Sequence, residues 1–267
     1  MTQETETEDT VVLEEVRGDA LWLTINRQAS GNALNNDVVK GLRNAIEAAQ
    51  AHDTVRAVVI TGAGDRIFCA GGDLSANNDG VPFDDEPAEP INPTASLFRE
   101  MATCRIPIIA RVNGHALAGG FGLMAYCHLA VASERAKFGV PEAKIGLFPM
   151  MIMPALMRST PQRVLMELCL TGEPITAEKA LSANIVNEVT PLDQLDAAID
   201  SLIARISAAS PTGIRVGLTA FNAMRDMSLV EALDYAQVML PSMARTEDAR
   251  EGFQAFREKR QPKWTGR

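Results

Sequence analysis

The stretch HALAGGFGLMAYC, residues 115–127, constrains the fold more than any other segment of the chain. Leu117, Leu123, Met124 and the neighbouring alanines favour a helix, yet Gly119, Gly120 and Gly122 interrupt them. Each glycine costs roughly 1 kcal/mol against alanine in a helix interior. Such a cost is offset where the backbone must turn tightly or approach something closely. The run IPIIARV precedes the stretch and HLAVAS follows it, so a strand leads into a glycine-rich turn, a helix and a further strand. The same order stands earlier, where VRAVVITG is followed by AGDRIFCAGGDLSA and Ala70-Gly71-Gly72-Asp73 precedes a candidate helix start. Both turns leave backbone N–H groups unpaired, with the positive end of a helix dipole behind them. Taken singly, each serves tight helix–strand packing as well as it serves a ligand. If the two converge, a pair of N–H groups holds one oxygen on which negative charge develops, an arrangement worth several kcal/mol in other enzymes.

The rest of the chain fits an α/β class. VVLEEV and ALWLTINR read as two strands split by the turn signal Gly18-Asp19, and Leu42, Ala45, Ile46 and Ala49 recur at helical spacing. Strands and helices alternate to about residue 150, and the C-terminal third is mainly helical. There Thr160-Pro161, Thr190-Pro191 and Ser210-Pro211 read as caps before a first-turn proline, and Ser228 with Glu231 has capping-box spacing. Leu195, Ala198, Ile199, Leu202, Ile203 and Ile206 share one helix face that must be buried. The acidic, proline-rich segment 79–94 fits no regular element and reads as a mobile surface loop.

Several function classes fall away. With 267 residues, 46% of them hydrophobic, the chain can bury a full core. A net charge of −9 and the lack of a basic, aromatic-interleaved stripe argue against nucleic acid and anionic membrane as partners. The polar start MTQETETEDT lacks the pattern of a signal peptide and no apolar run spans a bilayer, so a cytoplasmic protein is expected. Cys69, Cys104, Cys127 and Cys169 lack metal-ligand spacing and read as reduced packing residues. His52, His115 and His128 show neither a metal pattern nor a triad, leaving structural or solvent roles; His115 alone lies close to the second glycine turn. No serine stands at a nucleophile turn with His and Asp partners.

The motifs LTINRQASGNALN, VVITGAGDRIFCAGGDL, VNGHALAGGFGLMAYCHLAVASERAKFGVPEAKIGLFP, LTGEPITAEKA and EDAREGFQAFREKR occur in the order of one known family. By these motifs nearly the whole chain resembles the crotonase superfamily, the enoyl-CoA hydratases and isomerases. The resemblance implies a crotonase-like spiral of repeated strand-strand-helix units over residues 11–200 after a polar tail, 1–10. A helical oligomerisation segment, 201–267, then builds a homotrimer or a dimer of trimers. It implies an acyl-CoA thioester substrate, with coenzyme A entering as part of that substrate rather than as a separate cofactor, and no metal. The oxyanion-hole donors fall on the N–H groups of Gly72 and Gly119. Ala70, Asp73 and Leu74 match the segment that lies along CoA, Asp73 being equally suited to cap a helix. Lys259 matches a basic position that reaches CoA on a neighbouring subunit, with a solvated helix-end charge as the alternative. A lysine frequent after the aspartate is Ser75 here.

The carboxylates separate the chemistries. Glu142, in FGVPE, matches the second of two family glutamates, whereas the first falls on Gly122, which has no side chain to ionise. One carboxylate suffices for isomerisation, since it can take a proton from the α-carbon and return it to the γ-carbon. Hydration then needs help from another polar group, as in an aromatic enoyl-CoA hydratase/lyase. A noncatalytic acyl-CoA-binding protein is the alternative from another class. After Glu142, GLFPMMIMPALMR replaces a glycine-rich stretch with methionines, which suit an irregular apolar acyl pocket or a core.

Overall fold

The computed structural model describes residues 10–74 and 92–267. Strands β1 (Val12–Arg17) and β2 (Ala20–Ile25) form the expected hairpin, with Gly18 at φ 55° in its two-residue turn. Helix α1 (Asn36–Gln50) is capped by the Asn35 side chain and buries Val38, Val39, Leu42, Ala45, Ile46 and Ala49. The chain then winds on as β3 (Ala57–Gly62), β4 (Ile67–Cys69) and α2 (Pro93–Thr103), and next as β5 (Ile108–Val112), β6 (His115–Leu117) and α3 (Gly119–Ala125). A further turn comprises β7 (Leu129–Ser133), β8 (Lys137–Gly139), α4 (Met153–Ser159) and α5 (Gln162–Thr171). After it come β9 (Ile175–Thr176), α6 (Ala177–Ser182), β10 (Glu188–Thr190) and α7 (Leu195–Ser207). Helices α8 (Pro211–Met224), α9 (Leu229–Ala244) and α10 (Glu247–Glu258) complete the chain.

Each central turn of this spiral gives its first strand to one sheet and its second to another. The larger sheet has the order β1-β2-β3-β5-β7-β10, parallel throughout except for the β1–β2 pair. The smaller has the order β4-β6-β8-β9, with only β9 antiparallel. Asn113, fully buried between β5 and β6, ties the sheets together. Its amide donates to the carbonyls of Gly62 and Gly64, and its oxygen accepts from Thr61 Oγ1 and the Gly62 N–H. The main core lies between the sheets and helices α1, α2 and α3. On the other face of the large sheet, α7 buries Leu195, Ile199 and Ile203 against Trp22, Val59, Ile109 and Val131, which answers what its apolar stripe packs on.

Some local expectations need correction. Ser210 does cap α8, accepting from the Gly213 N–H, and the Ser228–Glu231 capping box at α9 forms in both directions. Thr160 instead ends α4 and Thr190 ends β10, so neither side chain caps; Pro161 and Pro191 alone set the next start. The expected loop 79–94 lies outside the described residues as far as 91. Its last residues are ordered, since Asn92 caps α2 and Pro93 opens it. The candidate helix start after Asp73 also falls outside the described residues. Helices α8 and α9 bury no residue among the described residues, although Leu229, Val230, Leu233, Val238 and Leu240 are all large and exposed. Among the described residues no helix is long and apolar enough to cross a membrane.

Candidate active site

The parallel register of the small sheet brings three chain segments to one edge. Cys69 of β4 stands opposite Ala116 of β6, and Leu117 of β6 opposite Gly139 of β8. Where these strands end, the chain leaves as Ala70–Leu74, Ala118–Gly119 and Val140–Glu142, so both glycine turns and the glutamate emerge together. Ligand sites of parallel sheets characteristically lie at these carboxyl ends.

The two glycine turns touch. A side chain on Gly71, whose φ is 113°, would meet Ala118 Cβ at 2.8 Å and the Gly119 nitrogen at 3.2 Å; one on Gly119 would lie 3.2 Å from the Gly72 nitrogen. A parallel bridge joins Gly72 to Leu34, in which the Leu34 N–H donates to Gly71 O and the Asp73 N–H to Leu34 O. That pattern uses the flanking peptide groups and directs the N–H of Gly72 itself away from Leu34. Gly119 is the first residue of α3, where an N–H has no intrahelical acceptor. Among the described residues neither N–H is spent on a backbone partner, and two such donors can hold a single anionic oxygen.

Each interrupting glycine thus has a spatial reason. Gly119 admits the opposing turn, a Cβ on Gly120 would overlap the Cys69 carbonyl, and one on Gly122 would overlap Ile152 Cγ2. The backbone strain sits beside them, on Ala118, which has φ 48° and ψ −125° as the residue before α3. A non-glycine residue held there costs of order 1–3 kcal/mol, and such strain clusters at functional sites. Sequence inspection missed it because alanine carries no signal for positive φ.

Glu142 lies in a short 3-10 turn, Pro141–Ile145, immediately beyond β8. Its side chain is half-buried, and Oε2 is buried with no hydrogen-bond partner among the described residues. Burial raises its pKa above the ordinary carboxylate value, against a smaller downward pull from its own backbone N–H. Its charge in turn helps raise the Cys169 thiol, after the burial of that thiol. In the segment that follows, Ile145, Leu147, Phe148, Met150, Met151 and Met157 are exposed while Pro149, Ile152, Ala155 and Leu156 are buried, so the methionine-rich stretch divides between surface and core. A desolvated carboxylate with a raised pKa is a group suited to taking and returning a proton.

The remaining sequence-predicted residues divide. Ala70 and Leu74 are exposed on the same turn as Gly72. Asp73 is mostly buried, paired at 2.8 Å with Arg27. Lys259 ends α10 in the left-handed region at φ 53°, exposed, on a helix that packs on α8 and α9 rather than on the small sheet. Ser75 lies outside the described residues. His115 opens β6, at the strand end away from the glycine turn, with its pKa lowered by burial and by Lys137 and Arg66. His128 is structural: its Nδ1 accepts from the Ile108 N–H, and burial depresses its pKa to about 4. His52 is exposed past the end of α1. The cysteines are unpaired, and burial pushes the Cys69 and Cys104 thiols up to about 12 and about 11. Among the described residues no three His, Cys, Asp or Glu side chains gather as round a metal ion. Arg27 and Ile152 were not singled out from sequence; only their spatial neighbours identify them.

The chain has relatives along nearly its full length. Residues 15–267 match the family model described as enoyl-CoA hydratase/isomerase. The 2,3-dehydroadipyl-CoA hydratase of Escherichia coli (strain K12) is 35% identical over 250 residues, covering 92% of this chain and 95% of that protein. The (E)-benzylidenesuccinyl-CoA hydratase of Thauera aromatica is 32% identical, covering 94% and 98%. A probable mitochondrial enoyl-CoA hydratase of Dictyostelium discoideum is 33% identical, covering 94% and 89%. Among solved structures, the enoyl-CoA hydratase from Bacillus anthracis superposes with a TM-score of 0.89 at 26% identity, covering 96% of this chain and all of that one, 100%. By sequence along nearly its full length and by its spiral fold, this chain belongs to the enoyl-CoA hydratase/isomerase family.

Proposed function

We propose that the protein is an enzyme acting on an enoyl-CoA thioester and that it shifts a carbon–carbon double bond. In this reading the thioester oxygen accepts from the N–H groups of Gly72 and Gly119, which stabilise the negative charge as the α-carbon loses its proton. The Glu142 carboxylate takes that proton from C2 of a 3-enoyl-CoA. The resulting dienolate has electron density at C4, and the same carboxylic acid returns the proton there, giving the 2-enoyl-CoA with no net change in composition. Coenzyme A enters as part of the substrate, with Ala70, Asp73 and Leu74 along it and Lys259 reaching it from a neighbouring subunit. The observation that carries the proposal is the buried Oε2 of Glu142, unpartnered among the described residues, at the strand ends that present the two glycine N–H groups.

Gly122 favours isomerisation over hydration. The space a side chain would take there is occupied by Ile152, which is 3% exposed, so the wall carries an aliphatic group where a second carboxylate would stand. Hydration is the second reading, favoured by the names of the relatives, which are hydratases of CoA esters. Incubation with 2- and 3-enoyl-CoA esters in deuterated water separates them by mass. Bond migration without added water supports the isomerase, a gain of one water supports the hydratase, and binding with neither conversion nor exchange overturns both. The exposed apolar side chains in the segment after Glu142 suit an uncharged acyl group. The uncovered faces of α8 and α9 support a homotrimer or a dimer of trimers, which sedimentation analysis tests.

A further inference from the structure

We infer that Arg27 is a positioning residue for the Gly72 N–H, an inference that rests on the oxyanion reading proposed above. Arg27 follows β2 and reaches across the Leu34–Gly72 bridge. Its Nη1 donates to the Ala33 carbonyl and its Nη2 to Asp73 Oδ2, each at 2.8 Å. Ala33 precedes Leu34 and Asp73 follows Gly72, so one planar fork clamps both segments that meet at the bridge.

The clamp is itself fixed. The Asn32 N–H donates to Arg27 O, Asn32 Oδ1 accepts from the Arg27 N–H, and Asn32 Nδ2 donates to the Ala63 and Ile67 carbonyls. Asn32 is 1% exposed and adopts φ 53°, so the loop that carries the clamp is locked to the start of β4. The Arg27 and Asp73 side chains are 19% and 11% exposed, which leaves the pair weakly screened by solvent. Arg27 therefore has two effects on the neighbouring N–H. It fixes the direction of the peptide group between Gly71 and Gly72, and it balances a carboxylate that would otherwise repel negative charge growing beside it.

The test uses the full chain and an enoyl-CoA ester labelled with carbon-13 at the thioester carbonyl. Difference infrared spectra report the carbonyl stretch when bound, alongside kcat, KM and the unfolding midpoint. The wild-type band is expected to move to lower frequency on binding. Arg27→Gln is expected to reverse much of that shift and to lower kcat about tenfold or more, with a smaller change in KM. Arg27→Lys keeps the charge but cannot span both acceptors, so an intermediate band and rate are expected; it also serves if Arg27→Gln fails to fold. A wild-type band that does not move overturns the oxyanion reading itself. A wild-type shift that both folded variants retain in full, with unchanged kcat, leaves that reading standing and overturns the role given to Arg27.

Discussion

Two desolvated carboxylates, Glu142 and Asp248, meet opposite treatment. Asp248, in the first turn of α10, is fully buried, and burial alone would raise its pKa. Hydrogen bonds from the Thr265 N–H, Ser210 Oγ, the Thr212 N–H and the Gly266 N–H outweigh that and hold it at about 2. Those bonds fasten the C-terminal residues to the start of α8, with Trp264 Nε1 donating to the Ala208 carbonyl alongside. Glu142 is also desolvated, yet its Oε2 receives no such bond among the described residues, and its pKa is raised instead. A saturated carboxylate is a fastener, because its charge is fully compensated. An unsaturated one is held ready to take a proton.

The largest effect that could break this contrast is on turnover. Glu142→Gln is expected to lower kcat by about 10²–10⁴-fold while thioester binding persists, since it removes the proposed acid/base group but little volume. Steady-state kinetics and calorimetric binding check both halves. Asp248→Ala is expected to cost about 3 kcal/mol or more in chemical denaturation, because several buried donors lose their acceptor. If it instead abolished turnover in well-folded protein, the division between fastener and proton carrier would fail.

A third variant tests the packing beside Gly122. Gly122→Ala drives a methyl group into Ile152 and is expected to cost about 1–3 kcal/mol of stability. Pairing it with Ile152→Ala should recover part of that loss in a double-mutant cycle. The smallest effect is the pH dependence of stability, which has opposite signs at the two sites. Between the ordinary Asp value of 3.8 and about 2 the unfolded chain binds more protons at Asp248, so stability is lost as pH falls through that window. At Glu142 the folded chain holds the proton to higher pH, so stability is lost as pH rises from the ordinary carboxylate value through the raised one. Asp248→Asn should flatten the first slope and Glu142→Gln the second in denaturation series across pH.

The hairpin at Gly18-Asp19, the amphipathic α1 and α7 and the capping box at Ser228 were legible because each is a local pattern whose reward lies within a few residues. The failures at Thr160 and Thr190 have the converse cause: a cap residue before proline looks the same whether its side chain turns to the helix or ends the preceding element. Asp248 lay inside a recognised motif, but its partners stand 17 residues later in Thr265 and 38 residues earlier in Ser210. No local pattern could join them.

The sequence by itself determined the alternation of strands and helices, the family, the two glycine turns and the glutamate at a later strand end. Periodicity, turn chemistry and motif order are properties of neighbouring residues. Tertiary structure alone decided that the turns touch, that strain rests on Ala118, that Ile152 fills the place beside Gly122 and that Arg27 clamps the bridge at Gly72. Those depend on the register of the small sheet and on contacts between segments far apart in the chain, and only the packed fold brings such groups within reach of one another.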